Sequence, residues 1–109
     1  MKKADLNLTI RFAELKRIVS GEKVEEYRDS KEYYHKIFKE LDETFKVIKP
    51  EIKTLKLRAG YSKNPKYAIV QVKEIVHEQF NNFIPEAFEK GDKAYTIYIE
   101  KVLEHNLDL

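Results

Sequence analysis

Residues 12 to 29, FAELKRIVSGEKVEEYRD, change their hydrophobic period midway, and that change decides the architecture. Phe12, Leu15, Ile18 and Val19 share one face of a helix, and Gly21 stands where such a helix would stop. Residues 23 to 29 then read as a strand in which Val24, Glu26 and Arg28 project to one side. Opposite charges therefore share a strand face: Glu26 and Arg28 either both meet solvent or pair beneath a cleft. In the second case a desolvated Glu beside Lys23 and Arg28 stays ionised and fixes both cations for an anionic or polar ligand.

Outward from this stretch, Leu6, Leu8 and Ile10 alternate with Asn7 and Thr9 as in a half-buried strand. Asp29 or Ser30 is expected to cap a helix running to about residue 45, with Glu32 completing a capping box and Tyr34, Ile37, Phe38, Leu41 and Phe45 as its apolar stripe. Pro50 ends that region. EIKTLKLR reads as a strand with Ile52, Leu55 and Leu57, AGYSKNPK as a loop, and residues 66 to 77, KYAIVQVKEIVH, as the most β-prone run. QFNNFIPEAFEKGDK is expected to hold one short helix, with Pro85 in its first turn and Gly91 beyond its end. AYTIYIEKVLE closes as a strand with Tyr95, Ile97 and Ile99 on one face.

The order β, α, β, α, β, β, short α, β predicts an α+β fold: a small mixed barrel or strongly curved sheet of about five strands, with two to three helices packed outside. A doubly wound parallel sheet fits less well, because the loop between the third and fourth strands is too short for a crossover. At 109 residues and 42% hydrophobic content, the chain supplies one core and reads as one domain, 1–109. It contains no cysteine, so neither a disulfide framework nor a thiolate metal site is available, which suits a cytoplasmic setting. The start, MKKADLNLTIRF, alternates instead of presenting the apolar run of a secretory signal, and no stretch approaches the roughly 20 apolar residues of a membrane span. A net charge of +2 is too small to identify a nucleic-acid binder, for which local clustering of charge decides.

Gly21, Lys23, Glu26 and Arg28 spell G-x-K-x-x-E-x-R after an amphipathic helix, and here the chain resembles the ASCH domain family, small barrels related to the PUA domain of RNA-modifying proteins. The resemblance spans most of the chain, since ASCH proteins also place a strand before the motif helix and strands after it. The loop LRAGYSKNPK is similar to one in short bacterial and phage members. The resemblance implies a PUA-like barrel with a cleft near the motif that receives RNA or a nucleotide-like ligand. Lys23, Glu26 and Arg28 would line it, and Gly21 would permit the turn into the strand. One branch, small amidohydrolases that deacetylate N4-acetylcytidine, is similar in size but has Thr where this chain has Val24 and Glu26. The hydroxyl nucleophile that branch would use is absent, and a Glu flanked by two cations suits general-base work poorly.

An enzymatic reading, as an amidohydrolase or small ribonuclease, would rest on Lys23 and Glu26 with a hydroxyl from Tyr61 or Ser62. Arg58, Gly60, Tyr61, Ser62 and Lys63 could together grip a phosphate, although no P-loop pattern is present. Plainer readings stand beside these. The charged face also fits an edge strand that keeps neighbouring sheets away, in a protein-interaction module without a cleft. The 60–65 loop fits a simple hairpin connection. Tyr33, Tyr34, Tyr95 and Tyr98 fit core and rim positions, whereas Tyr27 and Tyr61 flank the candidate segments. His35, His77 and His105 lie far apart and in no ligand spacing, so neither a metal nor another cofactor is expected.

Overall fold

The computed structural model describes residues 4–38, 52–60 and 62–108. Its elements follow the period changes of the sequence: β1 Leu6–Thr9, α1 Phe12–Val19, β2 Glu25–Asp29, α2 Glu32–Phe38, β3 Thr54–Ala59, β4 Lys66–Gln79 and β5 Lys93–His105. The expected continuation of α2 to residue 45, including Leu41 and Phe45, lies outside the described residues, as does Pro50. Ser30, one of the two expected caps of α2, instead places its hydroxyl 2.8 Å from Nε2 of His77.

The five strands form one mixed sheet in the order β1-β3-β4-β5-β2. β1 and β3 run parallel, while β3–β4, β4–β5 and β5–β2 are antiparallel. The short loop after β3 therefore makes a hairpin. Register shifts at Ile69/Val70, Gln71/Val72 and Val72/Glu74 disturb the β4–β5 ladder, and such bulges increase bend and twist. The sheet curls into a half-barrel, an α+β barrel-like fold with two helices among the described residues. Its outermost strands, β1 and β2, approach each other across a seam, where Arg28 on β2 donates from Nη2 to the Thr9 carbonyl on β1 at 2.9 Å.

Leu8, Leu15, Ile18, Leu55, Leu57, Val70, Tyr95 and Ile97 are buried in one cluster with Phe38 from α2. Tyr95, Ile97 and Ile99, expected on one face of β5, are all buried, and so are Ala94 and Thr96 on the other face. Phe12 departs from the expected helical stripe: it is half exposed at the start of α1, with the Lys16 ammonium over its ring.

The short helix expected between β4 and β5 does not form. Phe88 N donates to the Pro85 carbonyl, but Ala87 next to it has φ 72° and Gly91 has φ 91°, and neither value is helical. The backbone donors here close a long hairpin instead. Phe80 N bonds the Asp92 carbonyl, Gly91 N bonds the Phe80 carbonyl, and Glu89 N is taken by the Asp92 carboxylate. Pro85 and Gly91 are helix-compatible punctuation, yet the pairing of the two longest strands fixes the ends of this segment.

Candidate functional site

Three elements build a cleft at the seam. α1 ends at Val19, and Gly21 adopts φ 83°, a left-handed value that costs glycine little, so the chain reverses and enters β2 beside the helix it has just left. Lys23 N then bonds the Arg17 carbonyl at 3.0 Å, fixing the entry. The third wall is the segment from Phe83 to Phe88. The resulting cavity has a volume of about 690 Å³, within the range that small-molecule sites occupy.

Its charged groups form one continuous chain. Lys23 Nζ lies 2.7 Å from Glu14 and 3.0 Å from Glu26, and the other Glu26 oxygen lies 2.7 Å from Arg28 Nη2. Arg17 extends the chain beyond Glu14 to Glu22. Of the two outcomes left open for Glu26 and Arg28, the pair beneath a cleft is the one observed. Glu26 is 7% exposed, and the Arg28 side chain is 12% exposed. Arg28 also donates from Nη1 to the Tyr34 hydroxyl at 3.2 Å, which ties α2 to the seam. Its Nε–H is buried without an acceptor among the described residues, a cost of about 1–3 kcal/mol that stability alone does not account for.

The electrostatics follow from these contacts. The hydrogen bond from Lys23 holds the Glu14 carboxyl below its ordinary value of 4.5, against the opposing effect of burial. Burial works against the Lys23 ammonium, but Glu14 and Glu26 outweigh it and hold the group above its ordinary value of 10.5. Lys23 is therefore a fixed cation, poorly suited to serve as a base or nucleophile at neutral pH. The walls are aromatic: Tyr27, Tyr34, Phe83 and Phe88 line the cavity, and Tyr27 packs edge-on against Phe80 and Phe88 at 5.8 and 5.9 Å.

Of the residues singled out in the sequence, Lys23, Glu26 and Arg28 meet in this cleft and Gly21 makes the turn beside it. Arg58, Gly60, Ser62 and Lys63 are not among the lining residues, and Ser62 and Lys63 are exposed in the β3–β4 hairpin. Tyr61 lies outside the described residues. The described residues of the 60–65 loop thus do not line the cleft that holds the motif. Arg58 still contributes through its backbone, since its carbonyl accepts from Ile10 N at 2.8 Å and anchors the seam.

Sequence reasoning missed Glu14, Tyr34 and the segment carrying Phe83 and Phe88. Glu14 carried a usable signal: it shares α1 with Arg17 three residues on, and the turn at Gly21 folds β2 back beside that helix. The histidines gave no signal, yet the rings of His35 and His77 meet edge to face at 5.6 Å beside Tyr95. Among the described residues no group of three or more His, Asp or Glu could hold a metal ion, and no helix is long and apolar enough to cross a membrane. No family model, curated protein or solved structure matches this chain.

Proposed function

We propose that this chain is an ASCH-type, PUA-like domain whose seam cleft binds a nucleobase of RNA or of a modified nucleoside. One observation carries the reading: Glu26 is clamped between Lys23 and Arg28 in a cavity of about 690 Å³ walled by aromatic rings. A flat heterocycle has two needs, a surface to stack on and polar partners for its edge. Tyr27, Tyr34, Phe83 and Phe88 supply the first, and the rims of the Lys23–Glu26–Arg28 chain supply donors and acceptors already held in place.

Pairing refines the kind of contact. Lys23 and Arg28 are neutralised by Glu14 and Glu26, so they are better placed to meet the carbonyl and amino edge of a base than to grip a free phosphate. The exposed Arg11 at the cavity mouth is the cation available to a phosphodiester backbone. Binding is favoured over catalysis because Lys23 is held protonated, Glu26 is committed to two cations, and Ser62 lies outside the cavity.

A calorimetric titration with cytidine, N4-acetylcytidine and short single-stranded RNA at two salt concentrations tests this. Nucleoside affinity should change little with salt, while RNA affinity falls with it through backbone contacts. Arg28→Lys keeps the charge but loses the planar fork, and Val24→Glu crowds a lining position that is 55% exposed; each should weaken nucleoside binding about tenfold or more. Unchanged affinity in both folded variants, or no binding of any of the three ligands, would overturn the proposal. Turnover of N4-acetylcytidine that disappears in Lys23→Ala would replace it with the amidohydrolase reading.

A further inference from the structure

Beyond Glu25, Tyr27 and Phe83, which line both spaces, a second cavity of about 450 Å³ opens. Tyr27, Phe80, Phe83 and Tyr98 form its aromatic lining, with Glu25 and Glu78 among them and no Lys or Arg. Glu25 accepts a hydrogen bond from the Tyr27 hydroxyl, and Glu78 accepts one from Thr96 Oγ1 at 3.0 Å. Neither carboxylate makes an ion pair among the described residues, whereas Glu14, Glu22 and Glu26 in the first cavity all do. The local field is negative enough to register on the phenols. Burial first, and then Glu78, Glu25 and Glu74, push the Tyr98 hydroxyl up, and burial with Glu25 does the same for Tyr27.

We infer that this second cavity is a binding site for an alkylammonium cation. Two half-buried carboxylates without counter-cations lower their energy when a positive charge enters, and the negative faces of aromatic rings attract the same charge. Phe83 adds a second reason: it is 72% exposed in a segment whose base is tied down by the Phe80–Phe88–Tyr27 ring cluster, and a ligand with methyl or methylene groups would cover it. A hard divalent metal is a poor fit, because it demands a shell of six or more oxygens and half of this lining is hydrocarbon. The space suits a small organic cation in volume and in its mix of apolar wall and few polar groups. The cation could be a free amine or the side chain of a lysine, and the same chemistry recognises both.

The inference does not rest on the nucleobase reading: Glu25, Tyr27 and Phe83 line both cavities, but Glu78, Phe80 and Tyr98 line only the second. The test uses the full chain and follows ring-proton shifts by NMR during titration with choline, with its neutral isostere 3,3-dimethylbutan-1-ol, and with N-acetyl-lysine methylamide. Choline should bind at least about fivefold more tightly than the uncharged isostere, and Glu78→Gln and Phe83→Ala should each weaken it by at least about fivefold. Phe83 is exposed and Gln preserves the acceptor for Thr96, so both variants should keep the wild-type unfolding midpoint. Competition between the lysine derivative and choline assigns a lysine side chain as the occupant; choline binding without competition assigns a free quaternary amine. Equal affinity for choline and its isostere, absence of choline binding, or unchanged affinity in both variants overturns the inference. Glu78→Gln should leave cytidine affinity as it is, so failure at one cavity is separable from failure at the other.

Discussion

The two cavities share Tyr27, Phe83 and Glu25 and differ in that the first also holds a network of ion-paired carboxylates. In the first, Glu14, Glu22 and Glu26 each lie within 3.4 Å of a cation on the same chain. In the second, Glu25 and Glu78 face tyrosine and threonine hydroxyls. Internally paired charges become part of the fold: they join helix to strand, and removing one strands the others away from water. Glu25 and Glu78 each hold one hydroxyl and no cation, so their charge is left to whatever enters. A charged residue at a cleft therefore serves architecture or recognition according to its partner rather than its type.

The largest effect should come from breaking the paired network. Glu26→Ala leaves Lys23 and Arg28 part-buried without their shared anion and should cost about 3–5 kcal/mol, read from urea unfolding. A loss below about 1 kcal/mol would mean that the network is ornamental, and the contrast between the cavities would collapse.

Next in size is a pH dependence with two limbs. Glu14 is depressed in the fold, so its contribution is present above 4.5 and is lost as pH falls through its lower folded value. Lys23 is raised, so its contribution is full below 10.5 and is lost as pH climbs through its higher folded value. Urea midpoints should therefore form a plateau with an acid limb that flattens in Glu14→Gln. An identical acid limb in that variant would remove Glu14 from the account.

Smaller still is the backbone of the first cavity's third wall. Ala87 has φ 72°, so Ala87→Gly should stabilise the chain by about 0.5–1 kcal/mol by relieving a left-handed conformation that disfavours a Cβ. A thermal melt that moves downward instead would show that the alanine methyl is needed for packing. The smallest effect belongs to the second cavity: Glu78→Gln should change stability by no more than about 0.5 kcal/mol, because no ion pair is lost. A larger loss would give Glu78 the structural role that sets Glu26 apart.

Much of the fold was legible because its signals are local. The switch from helical to strand period between Val19 and Glu25, and the antiparallel turn after Ala59, each rest on residues within a few positions of one another. The site was half legible. Lys23, Glu26 and Arg28 share a short segment, and alternation put Glu26 and Arg28 on one face. Arg58, Gly60, Ser62 and Lys63 do not line that cleft, because they sit at the end of β3 and in the β3–β4 hairpin. The one short helix expected within the connection from Phe80 to Asp92 is absent: Pro85 and Gly91 suit a helix locally, while hydrogen bonds between Phe80, Gly91 and Asp92 close a hairpin.

By itself the sequence determined the alternation of elements, the buried face of α1 carrying Leu15 and Ile18, and the left-handed turn that Gly21 makes, since period and backbone permissiveness act over a few residues. Only the tertiary structure decided that β2 pairs with β5, bringing Glu26 opposite Ile97, and that Arg28 reaches across to Thr9. It alone decided that Glu78 on β4 and Glu25 on β2 line one cavity without a cation, and that His35 meets His77. The physical reason is sequence distance: these contacts depend on strand order and on where bulges bend β4, which are settled by packing of the whole core and carried by no short stretch of residues.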